Sequence, residues 1–173
     1  MALPISQIAQ ILSNRYYEFK VFFSPEDFRT CINSFSHVTI VSVTKVKFDT
    51  KIVSSIPKKK KGFYVFTLEN FGFPNIQFTY LLYIGRAVKT NTFKNRFYKY
   101  QAAIDDKSAV ENVLLLTNLW PDNTFVYFFE IKDDKETEDL EKILINKMRP
   151  DFNEEYFTTR TVETTSLYQL ANP

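Results

Sequence analysis

The chain has 173 residues, of which 45% are hydrophobic and 17% aromatic, so it can bury a core as one domain without disulfides or metals. One cysteine and one histidine exclude an intramolecular disulfide and a four-ligand zinc site built from these residue types. The net charge is +2, but residues 58 to 104 hold nine bases and one acid, whereas residues 105 to 173 hold seven bases and fifteen acids.

This charge asymmetry has two interpretations. It is typical of a face that binds a polyanion, and it also fits a folded protein whose two halves neutralise each other. No stretch approaches the roughly 18 consecutive apolar residues of a membrane-spanning helix, and the first residues lack the features of a secretory signal. We therefore expect a soluble cytoplasmic protein with no membrane partner.

Two short helices are predicted before the first strand. Apolar residues at helical spacing indicate the first helix, namely Ile5, Ile8, Ile11 and Leu12. The residue types of Ser24 and Pro25 suit an N-cap and a first helical turn, and the second helix follows them. Its expected apolar face consists of Phe28, Cys31, Ile32 and Phe35. Cys31 is therefore interpreted as a core thiol, and His37 lies at the start of a β-branched strand over residues 38 to 43.

The remaining elements alternate between strands and helices. Strands are predicted over residues 62 to 66, 79 to 85 and 125 to 131, with the first two forming a hairpin whose long tip contains loop-forming residues. Helices are predicted over residues 93 to 103, 108 to 116 and 133 to 149, the last ended by Pro150. These elements predict an α+β fold in which helices flank a small mixed β-sheet.

The domain prediction has three parts. Residues 1 to 57 form an N-terminal helical and strand extension that could select the substrate, residues 58 to 153 form the core, and residues 154 to 173 form a tail. We expect all three parts to belong to one compact unit.

Two of the three glycines border strands that each carry a tyrosine. They occur as Gly62-Phe63-Tyr64 and as Tyr83-Ile84-Gly85, and such scarce glycine is expected where close backbone approach requires it. Arg96 and Tyr100 are four residues apart on a predicted helix, so a guanidinium and a phenol could converge on one anion. Glu141 lies in the last predicted helix beside its apolar face.

In these motifs the chain resembles the GIY-YIG nuclease family. The family's name motif matches the two glycine and tyrosine triplets, its helix arginine and the following His or Tyr match Arg96 and Tyr100, and its metal-binding glutamate matches Glu141. Asn153, after Pro150, fits the same pattern, and Arg86 stands where many members have a lysine. The resemblance covers about residues 62 to 153 and implies a GIY-YIG-like sheet.

The resemblance implies a role for each matched residue. Tyr64 would be the general base, with Arg86 and Arg96 favouring its phenolate and complementing the negative transition state. Tyr83 and Tyr100 would position water and phosphate. Glu141 would bind one Mg²⁺ or Mn²⁺, because hard oxygen ligands suit these cations. The residues expected to support the site are Gly62, Gly85 and Asn153.

The expected partner is DNA, and RNA stays open. Seven lysines would follow the phosphodiester backbone, namely Lys58, Lys59, Lys60, Lys61, Lys89, Lys94 and Lys99. The leading hypothesis is a divalent-metal-dependent endonuclease that hydrolyses DNA, with a stand-alone restriction or defence nuclease as the first choice. The alternatives are a repair or mobile-element nuclease of the same fold, a nucleic-acid-binding module without catalysis, and an interaction protein whose aromatic residues simply form its core.

Overall fold

A computed structural model describes residues 25–48, 52–69, 79–106, 120, 122–150 and 152–153. Within these residues the elements in chain order are α1 (Pro25–Ser36), β1 (Ile40–Lys47), a 3-10 helix (Ile52–Ser54), β2 (Gly62–Glu69), β3 (Thr79–Ala87), α2 (Phe93–Asp106), β4 (Thr124–Ile131) and α3 (Asp134–Met148). The predicted α+β class is confirmed. The helices predicted near residues 5 to 12 and 108 to 116, the hairpin tip and the tail lie outside the described residues.

The four strands form one sheet in the order β1-β4-β2-β3, and every neighbouring pair is antiparallel. The prediction of a mixed sheet is therefore wrong. β1 and β2 run in the same direction, but β4 lies between them and runs the opposite way. Val65 marks the register, because it pairs with Tyr127 of β4 on one side and with Ile84 of β3 on the other. β3 and β1 are the edges of this sheet.

The two faces of the sheet carry two separate hydrophobic cores. The core beneath α2 includes Tyr64, Phe66, Phe97 and Phe128, together with residues of the 3-10 helix. The core beneath α1 and α3 contains Cys31, Phe63, Ile84, Ile131, Leu140, Leu144 and Ile145. β2 contributes alternate residues to both cores, because successive side chains of a strand point to opposite faces. The sheet thus has helices on both faces.

The helix ends follow the expected chemistry, with one difference in α1. The Asp133 side chain caps α3 by accepting a 2.8 Å hydrogen bond from the Glu136 backbone N–H, and Arg149 ends the helix in a left-handed conformation. In α1, Cys31 is buried as predicted, but Ile32 is exposed. Ile32 is the residue after Cys31, and one residue corresponds to about 100° around the helix axis, so Ile32 points away from the sheet. No helix within the described ranges combines the length and apolarity needed to cross a membrane.

A polar network surrounds Glu69 at the end of β2. Its buried carboxylate accepts hydrogen bonds from Lys45 at 2.5 Å, from Tyr127 at 2.7 Å and from Thr67 at 3.0 Å. Burial acts to raise the pKa of Glu69, but the hydrogen bonds outweigh it and hold this pKa below its ordinary value. The network joins β1, β4 and β2.

Candidate active site

Three polar side chains from β2 and α2 meet beneath the sheet. The hydroxyl of Tyr64 lies 2.7 Å from the hydroxyl of Tyr100. Arg96, one turn before Tyr100 on α2, donates from Nε to both oxygens, at 3.3 Å to Tyr64 and 3.2 Å to Tyr100. Within the described part of the chain, the two terminal nitrogens of Arg96 contact no acceptor. The guanidinium is therefore held at Nε by both phenol oxygens.

Aromatic packing holds the ring of Tyr64 in place. This side chain is 0% exposed, and its ring centroid lies 5.3 Å from that of Phe97 and 6.4 Å from that of Phe128. Tyr64 pairs in register with Gly85 of β3. A Cβ atom at Gly85 would lie 2.6 Å from both Cζ and Oη of Tyr64, far inside van der Waals contact. The lack of a side chain at Gly85 therefore lets the Tyr64 hydroxyl reach Arg96.

The other motif glycine, Gly62, lies where β2 approaches β4. Its φ of +139° is a conformation that residues with a side chain rarely adopt. A Cβ atom there would also lie 2.0 Å from the carbonyl oxygen of Phe129. The start of β2, two residues before Tyr64, thus requires glycine.

A third phenol, Tyr83, extends the cluster toward the surface. Tyr83 pairs in register with Phe66 of β2, on the sheet face that α2 covers. Its hydroxyl shares a hydrogen bond with Tyr100. Unlike Tyr64 and Tyr100, Tyr83 is only partly buried. The three phenols therefore run from the core to the edge strand.

The pKa values of Tyr64 and Tyr83 are raised above the ordinary value of a phenol. Burial, with smaller contributions from Tyr100 and Tyr83, raises the pKa of Tyr64 well above its ordinary value near 10, although Arg96 acts to lower it. Burial likewise raises the pKa of Tyr83 above its ordinary value. In this structure burial therefore opposes the Tyr64 phenolate that the arginines were expected to favour. Loss of water destabilises the phenolate more than one neighbouring guanidinium stabilises it.

Arg86 and Glu141 form an ion pair between β3 and α3. Nη1 of Arg86 donates to Oε2 of Glu141, whose side chain is 8% exposed against 35% for Arg86. Burial raises the pKa of the Glu141 carboxyl, and the charge and hydrogen bond of Arg86 act in the opposite direction. Arg86 follows Gly85 directly, so it belongs to the opposite face of the sheet from the Tyr64 ring. Arg86 therefore contacts Glu141 rather than the Tyr64 hydroxyl.

The hydroxyl cluster and the ion pair interact across the edge strand. The charge of Glu141 raises the pKa of Tyr83, and the charge of Arg96 lowers the pKa of Glu141. Two arginines, one buried acid and one partly exposed phenol thus act on one another where β3 borders α2 and α3.

Asn153 fixes the backbone of β3 beside this edge. Its side-chain amide accepts a hydrogen bond from the Ile84 N–H at 2.9 Å and donates one to the Ile84 carbonyl at 2.8 Å. The backbone N–H of Phe152 donates to the Leu82 carbonyl at 3.1 Å. The segment after α3 therefore anchors β3 between Tyr83 and Gly85.

The seven lysines expected to follow nucleic acid divide into two groups. Lys60 and Lys61 pair internally, at 2.8 Å to Glu130 and 2.8 Å to Asp134, so part of their charge is neutralised within the fold. Lys58, Lys59, Lys89 and Lys99 are exposed, whereas Lys94 is partly buried and lies 5.4 Å from the ring centroid of Tyr98. The available positive charge is thus carried mainly by the second group.

The described side chains could coordinate a metal ion only through a small number of protein ligands. Among the described residues, no group of three or more His, Cys, Asp or Glu side chains lies close enough together to hold an ion. Glu141 supplies one hard carboxylate, which suits a cation that keeps most of its water ligands. Chemically, the arrangement can bind an anion with guanidinium groups, orient it with hydroxyls and hold a divalent cation at one acid.

Two features of this site were missed in the sequence. Asp134 holds the loop after β3, because it accepts from the Lys61 side chain and from the Lys89 backbone N–H at 3.0 Å. In the sequence, Asp134 stands out only as an acid in the first turn of a predicted helix. The helix dipole alone explains an acid at that position, so the residue was not recognised. Strand alternation separates Arg86 from Gly85, but it does not indicate that Glu141 lies on the face to which Arg86 points.

Comparison of the chain with protein-family models, with curated proteins and with solved structures finds no match.

Proposed function

We propose that this chain is a divalent-metal-dependent endonuclease of the GIY-YIG type that hydrolyses DNA in the cytoplasm, most simply as a restriction or defence nuclease. The observation that carries the proposal is the hydrogen-bonded cluster of Arg96, Tyr64 and Tyr100 on one face of the sheet, with the ion pair of Arg86 and Glu141 on the other face at strand β3. Cleavage of a phosphodiester requires cations for the phosphate oxygens, groups that orient water, and an acid able to hold a metal. These residues supply each of them.

Arg96 is the proposed phosphate ligand. Two phenol oxygens hold its Nε, so the side chain has little conformational freedom left to lose on binding. The terminal nitrogens of a guanidinium match the geometry of two phosphate oxygens. Donors preorganised in this way contribute most where charge develops in the transition state, and loss of one typically lowers the rate by about 10² to 10³.

The phenols take different roles in this proposal. Tyr64 is fully buried and its pKa is raised, so it positions Arg96 instead of touching the attacking water. Tyr100 links Tyr64 to Tyr83. Tyr83 is the partly exposed member and is therefore the phenol that can hydrogen-bond to water or to a phosphate oxygen.

Glu141 is the residue that would hold the divalent cation. When bound, such a cation supplies Lewis-acid stabilisation of the phosphate and of the departing oxygen. The negative charge of Glu141 contributes to the raised pKa of Tyr83, so any neutralisation of this carboxylate brings the pKa of Tyr83 down. Glu141 is buried on α3, and its ion pair with Arg86 joins it to β3.

The exposed lysines support a polyanionic substrate. Lys58 and Lys59 lie in the turn before β2, and Lys89 follows β3, so three exposed cations flank the strands that carry the candidate site. Contacts of this kind position a phosphodiester backbone without reading its sequence.

The test is cleavage of supercoiled plasmid in the presence of Mg²⁺, with and without a chelator. We expect the wild type to nick the plasmid and the chelator to stop it. Glu141→Gln should abolish nicking, and Arg96→Ala should lower the rate by about 10² to 10³. Asp139→Asn is the matched control, because it removes an exposed acid from the same helix and should cut at the wild-type rate.

Two results would overturn the proposal. Nicking that continues in chelator, or at full rate in Glu141→Gln, would remove the metal role of Glu141. Salt-sensitive binding of plasmid without cleavage under any divalent cation would instead identify a nucleic-acid-binding module. A parallel reaction with single-stranded and structured RNA tests which polymer is cut.

A further inference from the structure

Arg86 and Glu141 form the ion pair at the centre of this inference. The carboxylate of Glu141 is almost completely buried, whereas the guanidinium of Arg86 keeps about a third of its surface exposed. Among the described strands, Arg86 lies on an edge strand of the sheet. Within the described residues Glu141 is its ion-pair partner.

The carboxylate of Glu141 has a physical need for a cation. Its side chain is 8% exposed, and Arg86 is the cation that contacts it. A buried acid that loses its partner is strongly disfavoured as an ion. Whatever removes Arg86 from Glu141 must therefore leave another positive charge in its place.

Arg86 also fits the anion of the proposed reaction. A guanidinium pairs with a phosphate in the same two-pronged way as with a carboxylate, and its long side chain can turn about several bonds. A divalent cation at Glu141 would repel Arg86, and a phosphodiester arriving at the edge would attract it. Binding of the cation and binding of the phosphodiester therefore favour each other. The cation replaces the positive charge that Glu141 loses when Arg86 leaves, and the phosphodiester replaces the negative charge that Arg86 loses.

Resting on the function proposed above, we propose that Arg86 exchanges its partner, pairing with Glu141 in the free protein and with a phosphodiester in the complex. Binding of the divalent cation and binding of the phosphodiester are then positively coupled. Thermodynamic linkage requires this coupling to be reciprocal, so the cation tightens DNA binding by the same factor by which DNA tightens cation binding. Couplings of this kind typically amount to about 5-fold to 150-fold.

The first measurement uses metal alone. Mn²⁺ is titrated into the full-length chain by calorimetry, with Glu141→Gln showing which part of the signal belongs to this acid. Arg86→Gln should tighten Mn²⁺ binding at least several-fold, because the competing cation is gone. Lys142→Gln removes the same charge from the exposed neighbour of Glu141 and should leave the affinity within about twofold of wild type.

The second measurement follows DNA. The affinity for a fluorescent 20-base-pair duplex is measured by anisotropy with and without Ca²⁺, at constant ionic strength. In the wild type and in Lys142→Gln, Ca²⁺ should tighten binding by about 5-fold or more, and in Arg86→Gln this factor should fall close to one. Arg86→Met, which keeps the length of the side chain, replaces Arg86→Gln if circular dichroism shows that the latter is unfolded.

The outcomes separate this inference from the proposed function. A wild type that cuts DNA and binds Mn²⁺ through Glu141, with Arg86 variants that keep both the wild-type Mn²⁺ affinity and the wild-type coupling, overturns the exchange alone. If the Glu141→Gln variant binds Mn²⁺ and cleaves DNA as the wild type does, both the exchange and the proposed function are overturned.

Discussion

Replacement of Gly85 by alanine tests whether the Tyr64 hydroxyl depends on the missing side chain. The added Cβ would lie 2.6 Å from Cζ and Oη of Tyr64 and 2.8 Å from Cε2. The ring cannot move aside, because it is fully buried against Phe97 and Phe128. Overpacking of a well-packed core typically costs about 1 to 3 kcal/mol, and contacts this short place Gly85→Ala near the upper end.

Two smaller effects adjust this magnitude. Alanine restricts the unfolded chain more than glycine does, which by itself stabilises a compatible site by about 0.4 to 1 kcal/mol. A displaced Tyr64 weakens its hydrogen bonds to Tyr100 and Arg96, at about 1 kcal/mol net for each bond lost. We therefore expect Gly85→Ala to lower the free energy of unfolding by about 2 to 3 kcal/mol.

Urea denaturation followed by circular dichroism measures this change, and a double-mutant cycle assigns it. Tyr64→Leu removes the three ring atoms that the new Cβ would meet. In that background Gly85→Ala should cost at least about 1 kcal/mol less than in the wild type, a coupling within the usual range for contacting residues. An alanine at residue 85 that is neutral, or equally costly in both backgrounds, would show that the two residues do not constrain each other.

Three further predictions concern the surroundings of the site. Asn153→Ala should lower the free energy of unfolding by about 2 kcal/mol in urea, because the buried backbone N–H and carbonyl of Ile84 lose their partner, and an unchanged midpoint would contradict this. Glu69 has a lowered pKa in the folded state, so its stabilisation is present above the unfolded value near 4.5 and is lost as the pH falls further. Glu69→Gln should reduce the loss of unfolding free energy that occurs as the pH falls below this value. An unchanged pH dependence in this range would argue against the network. Combined Lys58→Gln and Lys59→Gln should reduce the slope of log affinity for DNA against log salt by up to about 1.8, and an unchanged slope would exclude phosphate contacts there.

The edge strand β3 brings the separate parts of the site together. Tyr83 and Gly85 lie on the sheet face that carries the phenol cluster, whereas Arg86 points to the face where Glu141 lies. Asn153 holds the backbone of the intervening Ile84 from the outside. A shift of β3 would therefore disturb both the hydroxyl cluster and the ion pair, which explains why a backbone anchor lies at this point.

The spacing of residues along the chain was sufficient to predict most helices and strands and some pairs of residues that lie side by side. Helical spacing placed Arg96 and Tyr100 on one side of α2, and the structure shows both at the Tyr64 hydroxyl. The apolar runs at β2, β3 and β4 predicted strands whose observed bounds differ by a few residues at most. These predictions rest on the fixed repeat of the backbone, which is a property of neighbouring residues alone.

Only the tertiary structure decided the order of the strands and the state of the side chains. The insertion of β4 between β1 and β2 depends on pairing between distant segments, for which the sequence offers no local signal. The raised pKa of Tyr64 follows from complete burial, and the partner of Arg86 depends on which helix covers its face of β3. Burial and pairing are sums over many residues distant in sequence, so the sequence by itself identified the residue types of the candidate site but not their charge states or contacts.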